Sequence, residues 1–126
     1  MNIEIHDTNS LSSVQQAFNS MFPYLKIEFF TNLKSVSGRF QRKVIEKYIQ
    51  TFGEHKKTDS IDPIVISPEM TIADLDQQLQ TAFGMSVKLY RYSGRLWLET
   101  SVTDSWTLEQ QNKEGEALSF RNGDVG

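Results

Sequence analysis

The sequence contains no cysteine, and that absence removes several kinds of chemistry at once. A chain without thiols has no disulfide framework, no thiolate metal site and no cysteine nucleophile. It also suits a reducing compartment, so the sequence predicts a cytoplasmic protein. Proline is scarce too, with three residues against eight Phe, four Tyr and two Trp. That balance is typical of a folded chain, since disordered chains are poor in aromatic residues.

Long apolar runs and catalytic motifs are also missing. No stretch approaches the roughly 20 apolar residues that span a bilayer, and the amino terminus lacks the basic and apolar regions of a signal peptide. The seven glycines form neither a dinucleotide-binding fingerprint nor a phosphate-binding loop. His6 and His55 lie far apart in the sequence, with no third ligand near either. We therefore predict no metal site, no cofactor and no membrane partner.

The length of 126 residues predicts one domain, residues 1–126, because the chain is near the commonest domain size. We expect its core to lie within residues 2–111. Residues 112–126 are mostly polar, and we interpret them as a partly disordered tail.

The net charge of −3 is unevenly distributed. Residues 34–57 hold seven Lys and Arg against two Glu, and the rest of the chain holds six basic against fourteen acidic side chains. A basic middle between acidic flanks marks a polyanion site in some proteins, and in others the two signs attract each other within one fold or across a dimer.

Two segments follow the same β-α-β pattern. In the first, residues 2–6 alternate as a strand, a helix with apolar helical spacing starts after Asn9 or Ser10 and ends at Pro23, and residues 24–31 alternate again. About 61 positions later, residues 64–66 form a β-branched run, Thr71 and Asp74 have the spacing of a capping box, and Gly84 stands where a helix ends. We interpret the pair as a twofold repeat.

Between these units the spacing of apolar residues predicts a third helix, closed by Gly53. Its apolar face holds Phe40, Val44, Ile45, Tyr48, Ile49 and Phe52. Its opposite, basic face holds Arg39, Arg42, Lys43 and Lys47.

After the second unit, two runs rich in β-formers flank Ser93-Gly94, which predicts a tight hairpin with a two-residue loop. That loop places Tyr92 opposite Arg95, Tyr90 opposite Trp97, and Lys88 opposite Glu99. The other side of the hairpin is aliphatic, and we expect it to pack against the repeat helices. Its residues are Val87, Leu89, Leu96 and Leu98.

This element order predicts an α+β fold: a ferredoxin-like sandwich of two β-α-β units, with an inserted amphipathic helix, a C-terminal hairpin and a mainly antiparallel sheet. A three-layer α/β/α form, with the middle helix covering the second sheet face, is the alternative.

For function, the absence of a convergent polar cluster favours a small non-enzymatic module that binds a protein partner or itself. The expected contact residues are Tyr90, Tyr92, Arg95 and Trp97 on the sheet, and Arg39, Arg42, Lys43 and Lys47 on the basic helix. Binding of single-stranded nucleic acid is an alternative, because aromatic sheet residues beside Lys and Arg can stack bases. It is disfavoured by the pI near 5.3. A small enzyme with a site assembled from distant residues, such as Arg39, His6 and Asp7, is a further alternative.

Overall fold

The computed structural model describes residues 2–34, 40–44, 51–55, 62–100 and 103–123. In this part of the chain it forms three α-helices, six β-strands and one short 3₁₀ helix. In chain order these are β1 (Ile3–Ile5), α1 (Leu11–Met21), β2 (Leu25–Lys34), β3 (Phe40–Val44), the 3₁₀ helix (Phe52–His55), β4 (Ile64–Ile66), α2 (Ile72–Phe83), β5 (Met85–Ser93), β6 (Leu96–Thr100) and α3 (Leu108–Gly123).

The strands form two antiparallel sheets, so the predicted α+β class is confirmed. The larger sheet has four strands in the order β3-β2-β5-β6, and the smaller pairs β1 with β4. Strands that follow the two predicted helices, β2 and β5, lie side by side at the centre of the larger sheet. Strands that precede those helices, β1 and β4, pair with each other instead of joining that sheet.

Local capping explains where α1 and α2 begin and end. Ser10 Oγ accepts the Ser13 N–H at 3.2 Å at the start of α1. The capping box of α2 is complete, because Thr71 Oγ1 accepts the Asp74 N–H and the Asp74 carboxylate accepts the Thr71 N–H. Gly84 ends α2 with a positive φ of 63°, which glycine adopts without steric cost.

One apolar core joins both helices to one side of the larger sheet, which we call the helix-facing side. Alternate residues of β2 and β5 point into it, as the period of a strand requires. Its central members are Leu11, Val14, Phe18, Leu25, Ile27, Phe29, Phe52, Leu75, Leu79, Met85, Val87, Leu89 and Leu108.

The two halves of the chain, 2–55 and 62–123, are built alike beyond the predicted repeat. In the first half, the Phe52 N–H donates to Asn9 O and the Gly53 N–H donates to Asp7 O. In the second half, the Leu108 N–H donates to Met70 O and the Glu109 N–H donates to Pro68 O. Asn9 and Met70 lie 61 residues apart, and so do Asp7 and Pro68. In each half, the chain after the last strand therefore bonds to the segment just before its own helix.

The predicted middle helix is wrong for residues 40–44, which form strand β3 and pair with β2. A spacing of four residues, as between Phe40 and Val44, returns to the same side in a helix and in a strand, so it does not distinguish them. Residues 35–39 and 45–50 lie outside the described residues. Phe52 is buried as predicted, in the 3₁₀ helix.

The predicted hairpin exists, with its loop one residue further along. The loop is Gly94-Arg95, which places Tyr92 opposite Trp97 and Tyr90 opposite Glu99. The predicted pairs of Tyr92 with Arg95 and of Tyr90 with Trp97 are therefore wrong by two positions. Gly94 has a positive φ of 66° at the first loop position, where type II′ turns take glycine. Because the shift is two residues, each side chain keeps its predicted side of the sheet.

Residues 112–123, predicted to belong to a partly disordered tail, continue helix α3. The helix begins with a second capping box: Thr107 Oγ1 accepts the Gln110 N–H, and Gln110 Oε1 accepts the Thr107 N–H. It packs closely enough that a Cβ on Gly115 would lie 2.8 Å from Tyr24 Cβ. Close packing and capping therefore hold a helix whose composition alone looks like a tail.

Candidate interaction surface

The second side of the larger sheet carries three aromatic rings and one lysine, which together we call the aromatic face: Lys26, Tyr90, Tyr92 and Trp97. The β2–β5 register sets Lys26 opposite Tyr90, and the β5–β6 register sets Tyr92 opposite Trp97. The Tyr92 and Trp97 rings lie 5.1 Å apart at 50°. The Lys26 ammonium lies 5.1 Å from the Trp97 ring and 5.4 Å from the Tyr90 ring. One cation thus links rings from two strands.

Further along the same side, the charges are paired. Lys88 Nζ lies 3.2 Å from Glu99 Oε1 and 5.2 Å from the centre of the Phe30 ring. The predicted Lys88–Glu99 ion pair therefore forms, across a diagonal rather than directly opposite. Phe30 is buried, whereas Trp97 is 37% exposed, so this side of the sheet opens toward β6.

Strand β6 is an outer strand with large exposed apolar side chains. Leu96 is 66% exposed and Leu98 is 51% exposed, although Val87 and Leu89 on the same side of the hairpin are buried. The prediction that all four pack against the helices is wrong for these two leucines. Helices α2 and α3 pack on β5, one strand further in, and do not cover β6. Exposed apolar residues on an outer strand mark a contact site or an aggregation hazard.

The predicted basic helix face does not form over the described residues 40–44. Arg42 and Lys43 belong to strand β3, so the helical grouping with Arg39 and Lys47 does not apply to them. Arg39 and Lys47 lie outside the described residues. Arg95 occupies the exposed β5–β6 turn, at the end of β6 nearest Trp97. Of the predicted contact residues, the structure brings together Tyr90, Tyr92 and Trp97, and Arg95 lies in the turn two residues before Trp97.

His6, which was considered for a catalytic site, has a structural partner, and so does Asp76 of helix α2. His6 Nε2 lies 2.9 Å from Glu4 Oε2 at an exposed strand end. Asp76 accepts the Val87 N–H at 2.9 Å and also a Gln80 N–H, so it ties α2 to β5. A cleft of about 250 Å³ between α2 and the β5–β6 hairpin includes this carboxylate. Among the described residues, no cluster of His, Asp or Glu has the composition of a metal site.

Two features of the surface and its surroundings were not predicted from the sequence. Lys26 joins the aromatic face only through the long-range β2–β5 register, which no local pattern encodes. Gln111 is fully buried and accepts hydrogen bonds from Arg91 Nη1 at 2.9 Å and from Thr103 Oγ1 at 3.0 Å. The Thr107-x-x-Gln110 capping box was the sequence signal that could have placed this glutamine in a helix.

Comparison with known proteins adds no relative: no family model, no curated protein and no solved structure matches this chain. Among the described helices, none is both long and apolar enough to cross a membrane.

Proposed function

We propose that this chain is a cytoplasmic, non-enzymatic interaction module that binds another protein through its aromatic face and the adjoining strand β6. The single observation that carries the proposal is the contrast across the hairpin. The helix-facing side of β5 is closed by the core, whereas β6 presents Leu96, Trp97 and Leu98 to solvent. Aromatic residues are the side chains most enriched at the centres of protein interfaces.

The ferredoxin-like arrangement belongs to this proposal as well. It is supported by two β-α-β units whose helices pack on one side of an antiparallel sheet. The departure from it is the separate β1–β4 pair.

Lys26 and Glu99 favour a protein over single-stranded nucleic acid as the partner. The Lys26 ammonium already lies over the Tyr90 and Trp97 rings, where a stacked base would have to insert. Glu99 stands opposite Tyr90 and would face the phosphates. A base-stacking surface needs open ring faces, whereas the Tyr90 and Trp97 rings are already engaged by Lys26.

Substitution of the rings tests the proposal, and the chain supplies a matched control. Trp106 is 39% exposed, close to the 37% of Trp97, but lies in the loop before α3. We expect an immobilised chain to retain a defined protein from cell extract. Tyr90→Ala combined with Trp97→Ala should abolish that retention, and Trp106→Ala should leave it unchanged. Circular dichroism confirms that each variant is folded. Equal retention by the Tyr90/Trp97 double variant would contradict the proposal.

A further inference from the structure

The outer edge of β6 offers hydrogen-bonding groups at alternate residues. The Tyr92 N–H donates to Tyr24 O, in the direction of β2. The backbone N–H and C=O groups of the odd-numbered residues of β5 therefore point toward β6. Their partners in β6 are Thr100 opposite Leu89 and Leu98 opposite Arg91. The alternation then turns the N–H and C=O groups of Trp97 and Glu99 away from the sheet. A strand added at this edge would bond to those two residues.

The edge sequence is chemically self-complementary when reversed. It reads Arg95, Leu96, Trp97, Leu98, Glu99, with one basic end, one acidic end and an aromatic centre between two leucines. An antiparallel copy centred on Trp97 places Arg95 opposite Glu99, Leu96 opposite Leu98 and Trp97 opposite Trp97. Opposite charges and apolar pairs directly across from each other are the pairs that stabilise antiparallel strands.

Other centres of pairing fit less well. A centre at Leu98 sets Trp97 opposite Glu99 and leaves Arg95 without an acidic partner. A centre at Glu99 brings two carboxylates face to face, which is destabilising. The centre at Trp97 also agrees with the direction of its backbone groups, because residues of a hydrogen-bonded pair exchange both N–H···O bonds.

We propose that a second copy of this chain occupies this edge, and that two β6 strands pair antiparallel about Trp97 to join the two larger sheets. This inference rests on the proposed function, since it names one protein that the same surface binds. On one side of the joined sheet, Leu96 of each copy packs against Leu98 of the other, so this contact occurs twice. On the other side the pairing brings two aromatic faces together into one continuous surface. Arg95, which makes no ion pair within the described part of the chain, gains one.

The charge pair provides a sharp test by sedimentation equilibrium over a concentration series. Wild type should form dimers of the 14.5 kDa chain. Arg95→Glu gives an edge with two acids, and Glu99→Arg gives an edge with two bases. By twofold symmetry, each variant replaces two attractive cross-strand pairs by two repulsive ones. We expect each to weaken dimerisation about 10- to 100-fold.

The two single variants mixed in equal amounts should dimerise again, because their edges are opposite in charge. A double variant carrying both substitutions should dimerise like wild type, which also shows that neither change prevents folding. Glu109→Arg and Lys113→Glu on exposed α3 are the matched charge controls and should not alter the dimer. A monomeric wild type, single variants that dimerise like wild type, or a mixture that stays monomeric would each overturn the inference.

The outcome also separates this inference from the proposed function. A monomeric wild type that still retains a partner through Tyr90 and Trp97 overturns the dimer alone. If the wild type is dimeric but the Tyr90/Trp97 double variant still retains the partner, only the proposal that the aromatic face binds the partner is overturned.

Discussion

The two halves of this chain have the same order of elements, and they differ in the length of the helix that comes after the last strand of each. After β3, the first half returns to its helix start through a four-residue 3₁₀ helix. After β6, the second half returns to the equivalent place and continues as the 16-residue helix α3. The equivalent backbone hydrogen bonds show that both halves share the segment that comes back to the start of the helix. The long helix is an addition that covers the end of β5 and leaves β6 exposed.

The helix ends show a second difference. Helix α2 ends on Gly84 in the left-handed conformation, and β5 starts at the next residue. Helix α1 ends at Met21, and three residues including Pro23 precede β2. The repeat spacing is therefore 61 residues from β1 and β4 through the helix starts, and it becomes 60 residues between β2 and β5. A glycine turn makes the second connection shorter without changing which residues enter the core.

The largest expected loss of stability comes from substituting the two residues that follow the last strand of each half and are buried in the core. Phe52 lies 5.4 Å from the rings of both Phe29 and Phe83, and Leu108 takes the equivalent place in the second half. Phe52→Ala should lower the free energy of unfolding by about 3–5 kcal/mol, and Leu108→Ala by about 2–5 kcal/mol, because each leaves a cavity. Urea denaturation measures both.

Val65→Ala, on an exposed side of β4, is the control for those two variants and should change stability little. A small loss at one of Phe52 and Leu108, beside a large loss at the other, would show that the halves are not equivalent.

An intermediate loss of stability is expected on substitution of Gly115, which lies in the part of α3 that has no counterpart in the described residues of the first half. A Cβ there would lie 2.8 Å from Tyr24 Cβ and 3.1 Å from Arg91 Cγ. Gly115→Ala should therefore destabilise the protein by about 1–3 kcal/mol, against the general preference of helices for alanine. A stabilisation of about 0.5–1 kcal/mol, as at an exposed helical glycine, would mean that α3 does not pack on the sheet. Lys113→Ala on the exposed side of α3 is the control.

The smallest expected difference in stability is between substitutions at the N-caps of α1 and α2. Thr71 takes part in a reciprocal capping box, whereas at the start of α1 the Ser10 side chain accepts the Ser13 N–H without such a box. Thr71→Ala should cost about 1–2 kcal/mol and Ser10→Ala about 0.5–1 kcal/mol. Thermal unfolding of both variants measures the difference, and Thr81→Ala inside α2 serves as the control. If Ser10→Ala costs more than Thr71→Ala, the reciprocal bond does not strengthen the cap.

Short-range chemistry allowed the α+β class and several individual elements to be predicted. The caps of α1 and α2, the stop at Gly84 and the alternation in β2 and β5 each depend on residues within a few positions of one another. β3 was misread because Phe40 and Val44 satisfy both periods. Residues 112–123 of helix α3 were missed because the helix is held by contacts of Gln111 and Gly115 with residues far away in the sequence. Pairing between β1 and β4 is likewise a long-range choice with no local signal.

The candidate surface could be predicted in part for the same reason. Tyr90, Tyr92 and Trp97 share a side under any even shift of the hairpin, so the error in the loop did not separate them. The exposure of Leu96 and Leu98 depends on where α2 and α3 end across the sheet. That position is set by packing of the whole domain, and the sequence pattern of β6 alone looks like a buried strand.

The most direct test of this account is hydrogen exchange at the Trp97 amide, followed by NMR as the protein concentration rises. Leu98 provides the internal control, because its N–H already belongs to the β5–β6 ladder and should be protected at every concentration. If two copies pair at this edge, the exchange of the Trp97 N–H should slow as dimers form and return to the monomer rate in Arg95→Glu. Fast exchange of Trp97 at all concentrations, beside a protected Leu98, would contradict the account.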